Sequence, residues 1–215
     1  MENIFLAFFG TAIVSYLIGS CNMAILISKF HKEKDIRDYG SGSAGMTNML
    51  RTFGKRAAFY TFAGDFLKGA IVVVLARLVF QSKELPFDIG YLAALFAIIG
   101  HIFPIYFKFK GGKGVATAFG AMLMLNWVAF AVILIGLVPM LMVIRIVSAI
   151  SLCGASLFPV LNFLILLLQG ENVEKVVIPN TLFSVLIAAL TFYAHRENIL
   201  RFRTGTENFF GEKKK

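Results

Sequence analysis

Between Lys113 and Arg145 lie 31 consecutive residues without a charge, most of them strongly apolar. A water-soluble domain has no place for such a run. A bilayer does, because its hydrocarbon core, about 30 Å thick, is crossed by about 20 apolar residues. Residues 4–27, 57–80, 87–107, 146–169 and 176–194 are apolar over similar lengths. Composition agrees: of 215 residues 58% are hydrophobic and only 15% charged, where a soluble domain carries about 25% charged residues. A soluble enzyme, a disordered chain and a disulfide-rich secreted module are excluded. The net charge of +9 suits either nucleic acid or an anionic membrane surface, and the mean hydropathy of +0.79 decides for the lipid bilayer, with no nucleic-acid partner. Cys21 and Cys153 lie in apolar runs without metal-ligand spacing and read as small buried hydrophobes. No signal peptide is expected, since Glu2 is the only charge before the first span.

Charge asymmetry counts the crossings. The 31-residue run is either one long tilted helix or two short ones broken around Asn126–Trp127. With two, one face of the membrane receives residues 28–56, 107–113, the turn at Arg145 and the tail 194–215, which hold seven, three, one and six of the 21 Lys and Arg. The other face receives Arg77, Lys83 and Lys175, while Lys68 falls within a span. By the positive-inside rule the rich face is cytoplasmic. Six crossings would put Arg145 and the basic tail outside. The expected fold is therefore all-α: a polytopic integral membrane protein with seven transmembrane helices, N-terminus outside, C-terminus cytoplasmic, and one domain over residues 1–215. Two crossings in the 31-residue run allow about 23 Å each at 1.5 Å per residue, so both are short or one enters only partly; Gly120, Asn126 and Pro139 support that. The terminal Lys213–Lys215 is expected to meet anionic headgroups.

Three unusual segments share the cytoplasmic face. The first is Gly40-Ser-Gly-Ser-Ala-Gly-Met-Thr-Asn48, followed by Arg51. Its glycines, Gly42 and Gly45 among them, permit backbone nests that aim N–H groups at an anion. Ser41, Ser43, Thr47 and Asn48 add neutral donors, and Arg51 adds a guanidinium fork that fits phosphate oxygens. The second is Phe109-Lys-Gly-Gly-Lys-Gly-Val-Ala-Thr117, which opens an apolar helix. Gly111, Gly112, Lys113 and Gly114 there offer an anion both amides and a cation at a helix N-terminus. The segment is no Walker A loop, because Phe107 and Gly114 stand where Gly and Ser or Thr are required. The third is Tyr193-Ala-His-Arg-Glu-Asn-Ile199, where His195 and Asn198 share a face if the helix continues.

Other polar residues have plainer readings. Asp65 and Lys68, three apart within a span, make a structural ion pair behind the first loop. His101, beside Gly100 near the inner third of its span, either touches the site or, as the plainer reading, packs; His31 reads as a solvated loop residue. Ser148, near Arg145 and Ser151 at an inner turn, either donates to a substrate or bonds its own helix. The residues alone thus describe a pocket for phosphate-bearing substrates, lined by glycine loops, Arg51, Lys113 and His195. No Cys–His pair, paired carboxylates or metal cluster is visible, so neither metal nor cofactor is expected.

Four segments together resemble the bacterial membrane glycerol-3-phosphate acyltransferases that use acyl phosphate as donor, the PlsY family. They are Tyr16-Leu-Ile-Gly-Ser20; the first loop through Arg51 and on to Asp65-Phe-Leu-Lys-Gly69; Gly100-His-Ile-Phe-Pro104 with the second loop; and His195-Arg-Glu-Asn-Ile199 with Gly205-Thr-Glu207. The resemblance covers nearly the whole chain. It implies a seven-span protein of the bacterial inner membrane, active site facing the cytoplasm, that moves a fatty acyl group from acyl phosphate to the 1-hydroxyl of sn-glycerol 3-phosphate. The products are 1-acylglycerol 3-phosphate (lysophosphatidate) and phosphate, the first step of phospholipid biosynthesis. It also implies phosphate-binding roles for Ser41 and Arg51, a motif lysine at Lys113, the C-terminal pair at His195 and Asn198, and an inner-turn serine at Ser148. The enzyme that makes acyl phosphate is the protein partner it suggests.

The chain departs from the family's usual pattern at Asn22, Ser43, Ala44 and Met46, where the family usually has Pro, Asn, Pro and Ala. Two other readings follow from the residues: a transporter or exchanger of phosphorylated solutes, and an acyltransferase-like protein without activity. Against the transporter, the polar residues crowd one face, and no inverted pair of broken helices marks the midplane.

Overall fold

With no water in a bilayer core to satisfy it, each apolar run must close its own backbone hydrogen bonds as a helix. The computed structural model describes residues 2–81 and 85–209, and among these residues there is no strand. The helices are α1 (Glu2–Ser20), α2 (Met23–Lys32), α3 (Met46–Phe53), α4 (Lys55–Phe80), α5 (Ile89–Ile102), α6 (Val115–Leu125), α7 (Trp127–Ile144), α8 (Val147–Leu168), α9 (Ile178–Ala194) and α10 (Arg196–Arg203). Short 3₁₀ turns occupy Ile36–Asp38 and Ile105–Phe107, and a π turn at Val173–Val177 leads into α9. Lys83 and Lys213–Lys215, and the expectations attached to them, lie outside the described residues.

Among the described residues, five segments are long and apolar enough to cross a membrane: Phe5–Lys32, Ile89–Phe107, Trp127–Ile144, Val147–Leu168 and Val173–Ala194. Helix α4 has 26 residues but carries Asp65, Lys68 and Arg77. Helix α6 has 11, or about 16 Å. The uncharged run does break at Asn126, whose side chain accepts from Ala129 N at 3.0 Å and so caps α7. Pro139 sits inside α7 and does not end it.

The first span, expected over 4–27 without interruption, is broken at Cys21–Asn22. Asn22 is fully buried and acts as an N-cap, its Oδ1 accepting from Ile25 N at 3.1 Å while its Nδ2 donates to Ala44 O at 3.2 Å. Both cysteines are unpaired and half-buried, not enclosed as expected.

Small residues set the packing. A Cβ on Gly19 would lie 2.2 Å from Ala97 O, and one on Gly100 would lie 2.3 Å from Tyr16 O, so α1 and α5 meet backbone to backbone. Helices α4 and α6 do the same through Gly69 against Thr117 O and Gly120 against Phe66 O. Such contacts are how helices associate where lipid removes the hydrophobic drive between them. The main core runs through Val72, Tyr91, Ile98, Ala121, Ile133 and Phe158, with a second cluster around Ile25, Ile36 and Met49. Outward faces stay apolar: Val143 is 82% exposed and Leu168 87%. A soluble protein does not leave whole helix faces of this kind in water.

Candidate active site

A cavity of about 260 Å³ opens where the first loop, the start of α6, the turn before α8 and the α9–α10 corner meet. Ser41, Ser43, Gly45, Thr47, Asn48, Arg51, Lys113, Gly114, Ser148, His195 and Asn198 all line it. Gly42, Gly111 and Gly112 do not.

The first loop is held by Asn48, which is 2% exposed. Its Oδ1 accepts from Ser41 N at 3.1 Å, and its Nδ2 faces the carbonyls of Ile36 (3.2 Å), Tyr39 (2.9 Å) and Ser43 (3.1 Å). Asn48 was expected to donate to an anion; its amide is instead committed to shaping the loop. Gly42 N donates to Tyr39 O at 3.0 Å, closing a turn outside the cavity. Gly45 caps α3 without a side-chain bond, so the first amides of α3 have no partner within the helix, and they carry the positive end of its dipole. Arg51 follows one turn on, its Nη2 3.5 Å from Phe209 O.

The second loop leaves α5 through two left-handed residues, Lys108 and Phe109, each at φ 57°. Gly111 N donates to Ile102 O at 3.1 Å and Gly112 N to His101 O at 3.2 Å, so these amides are not offered to an anion as expected. The glycines serve a close approach: a Cβ on Gly111 would lie 2.0 Å from His101 O, and one on Gly112 2.3 Å from Ala44 O. Gly114, at φ 79°, then turns the chain into α6. The Lys113 ammonium reaches Asn198 Oδ1. Burial, reinforced by the nearby Arg201 charge, lowers the Lys113 pKa to about 8.

The third segment does not continue as one helix. His195 ends α9 and starts α10 at φ −97°, ψ 9°, yet the corner still delivers both His195 and Asn198 to the cavity. His195 is 2% exposed, with Nδ1 2.8 Å from Thr191 O. A carbonyl only accepts, so Nδ1 carries the proton of the neutral ring and Nε2 is left as an acceptor. Burial lowers the His195 pKa to about 4.

Arg201 and Asn208 line the cavity and were not singled out by the sequence; Glu207 stood there only within a motif of the resemblance, and Asp65 and His101, read as an ion pair and as packing, line the cavity too. Glu207 Oε1 accepts from Ser148 Oγ at 2.9 Å and Asn198 Nδ2 at 2.7 Å, and Oε2 accepts from Arg201 Nε at 2.8 Å. Burial alone would raise this carboxyl; the bonds from Asn198, Ser148 and Arg201 outweigh it and hold the pKa below the usual glutamate value. Ser148 therefore bonds Glu207, while Ser151 bonds its own helix at Val147 O, 2.8 Å.

Asp65 and Lys68 are paired as expected, Oδ1 to Nζ 2.8 Å and both buried. His101 belongs to their cluster and is not inert packing, with Nδ1 3.0 Å from Lys68 Nζ and 3.3 Å from Thr117 Oγ1. Lys68 also donates to Cys21 O at 2.9 Å, and Asp65 accepts from Met23 N at 3.3 Å. The break in the first span is thus tied to the cavity floor. Two of the departures from the family's usual pattern, Asn22 and Ala44, touch each other directly.

The glycerol-3-phosphate acyltransferase family matches residues 9–205. The chain belongs to this family. A glycerol-3-phosphate acyltransferase of Coxiella burnetii is 40% identical over 206 residues, covering 94% of this chain and 98% of that protein. The one from Thiobacillus denitrificans is 41% identical over 202 residues, covering 94% and 96%. Among solved structures, PlsY (YgiH), an integral membrane glycerol 3-phosphate acyltransferase, in its glycerol 3-phosphate form superposes with a TM-score of 0.80 at 33% identity, over 95% of this chain and 96% of that one. Its lysophosphatidic acid form gives 0.77 at 32% identity. Membership of this family decides for acyl transfer against solute transport.

Proposed function

We propose that this chain is a membrane acyltransferase that moves a fatty acyl group from acyl phosphate to the 1-hydroxyl of sn-glycerol 3-phosphate, releasing lysophosphatidate and phosphate. One observation carries the reading: Arg51 and Lys113, from separate segments, line a single cavity together with His195. Two phosphate groups held near each other repel, and only converging cations and helix dipoles offset that. An acyl phosphate has a good leaving group, so no covalent enzyme intermediate is needed and positioning supplies much of the rate. The glycerol oxygen attacks the acyl carbonyl carbon, and the carbon–oxygen bond to phosphate breaks with its electron pair going to phosphate.

The hydroxyl proton has two acceptors available, His195 Nε2 and the donor's own phosphate. With a pKa of about 4, His195 is a weak base; the donor's phosphate gains negative charge as its bond to the acyl carbon breaks, and so becomes the better proton acceptor as the reaction proceeds. In this reading His195 accepts a hydrogen bond that aims the hydroxyl, and phosphate carries the proton away. Glu207 holds Ser148, Asn198 and Arg201 around the substrate.

The membrane arrangement belongs to the same proposal: one domain with seven crossings, in which α4 and the short α6 join the five long apolar segments. Arg51, Lys113 and Arg201 then face the cytoplasm of a bacterial inner membrane, where the maker of acyl phosphate delivers the donor. Purified protein given labelled glycerol 3-phosphate and palmitoyl phosphate should form lysophosphatidate and phosphate in equal amounts. Uptake of glycerol 3-phosphate into vesicles without product would contradict the proposal, as would transfer only from a thioester donor.

A further inference from the structure

Arg37 lies outside the cavity, in the 3₁₀ turn Ile36–Asp38 just before the first loop, and reaches across to the second loop with two hydrogen bonds. Its Nη1 donates to Phe107 O at 2.9 Å and to Lys110 O at 3.1 Å. Those carbonyls flank Lys108 and Phe109, the adjacent pair of left-handed residues. That conformation is costly for L side chains, and here it occurs twice in succession. The guanidinium is itself fixed by Asp35, through Nε to Oδ1 at 2.9 Å and Nη2 to Oδ2 at 2.7 Å, with Lys29 3.5 Å from the same carboxylate. A planar fork gripped along one edge has its remaining N–H groups aimed.

On its other side the same turn offers Ile36 O and Tyr39 O to Asn48, the residue that shapes the first loop. One turn therefore anchors both phosphate-facing segments. The bond from Arg37 holds Asp35 at a pKa of about 2, so the pair stays charged throughout the neutral range.

We infer that Arg37 is a positioning residue: it sets the register of the Lys113 loop against the first loop by clamping the left-handed Lys108–Phe109 turn. The inference rests on the proposed acyl transfer, and the two fail differently. Wild-type protein that makes no lysophosphatidate defeats the function; active wild-type protein with an indifferent Arg37 defeats only the clamp.

The experiment compares wild type, Arg37→Ala, Arg37→Lys and the triple variant Arg37→Ala/Lys108→Gly/Phe109→Gly in the transfer assay, with active protein counted from its melting transition in detergent. Misplacing a binding group lowers kcat/KM for glycerol 3-phosphate about tenfold or more, and Arg37→Ala should do so. Arg37→Lys, which cannot hold Asp35 and both carbonyls with one planar fork, should lie between. Glycine adopts the left-handed turn without strain, so the triple variant should recover most of the loss. A surface ion pair of merely structural value would not be rescued by glycines some seventy residues away. Wild-type kcat/KM in Arg37→Ala, or a loss that the glycines leave unchanged, would overturn the clamp. Should Arg37→Ala fail to fold, Arg37→Lys with and without the two glycines gives the same decision.

Discussion

Helices α4, α5 and α6 carry a polar cluster at each end, and one of the two borders the large cavity. At the far end, Arg77 grips Asp88 and reaches Met124 O and Leu125 O, the last carbonyls of α6. Asn162 Oδ1 accepts from Tyr91 at 2.7 Å and Asn126 at 3.1 Å, and its Nδ2 donates to Ser184 at 3.3 Å. Asn180 accepts from Asp88 N at 3.2 Å. A void beside Ser184 is about 10 Å³, room for one water at most. At the other end, Arg51, Lys113 and Arg201 border about 260 Å³. The far cluster satisfies itself and ends a helix too short to span the bilayer. The near cluster gathers cations around space. Ionisable residues inside a membrane are a functional signal by default, and the sharper criterion is whether the groups, besides bonding one another, also face a volume.

The contrast can be broken in several ways. Lys68→Ala leaves the buried Asp65 without its ammonium, and losing one partner of such a pair costs about 3–5 kcal/mol; a melt in detergent should show that loss, with activity falling alongside. Arg51→Ala should cost at least about a hundredfold in kcat/KM, the scale of one lost transition-state donor, with the melting temperature little changed. Asn162→Ala should do the reverse. Stranding its three partners costs about 1–3 kcal/mol, while kcat/KM stays near wild type. If Asn162→Ala abolished transfer while folded, the two ends would not differ in kind.

A pH series sharpens the comparison further. Lys113 is a cation only below its pKa of about 8, so kcat/KM for glycerol 3-phosphate should fall above that pH, and Lys113→Arg should move the fall upward. Stability should run the other way. Between about 8 and the lysine reference value of 10.5 the unfolded chain binds a proton that the folded chain lacks, so this group makes folding more favourable as pH rises. The smallest effect is expected from Ser148→Ala, a few-fold loss, because Glu207 keeps its bonds to Asn198 and Arg201.

Much of this was legible in the sequence, for a physical reason: hydropathy and charge act along the chain. The apolar runs, the break at Asn126 and the two cationic segments are local facts. What was hidden acts through space. Gly111 and Gly112 read equally well as an anion nest or as a close approach, and only the carbonyls of Ile102 and His101 choose between them. Nothing near Glu207 in sequence shows that Ser148 and Asn198 converge on it, although its segment carried part of the family resemblance. The break at Asn22 had a readable cause in the capping habit of asparagine, masked by the apolar residues on either side.

The central claim is that one cavity holds two phosphates at once, and calorimetric titration tests it most directly. Glycerol 3-phosphate should bind purified wild-type protein already saturated with inorganic phosphate, with affinity reduced only modestly by repulsion, and should bind Arg51→Ala far more weakly. One-for-one displacement of phosphate by glycerol 3-phosphate would contradict the account.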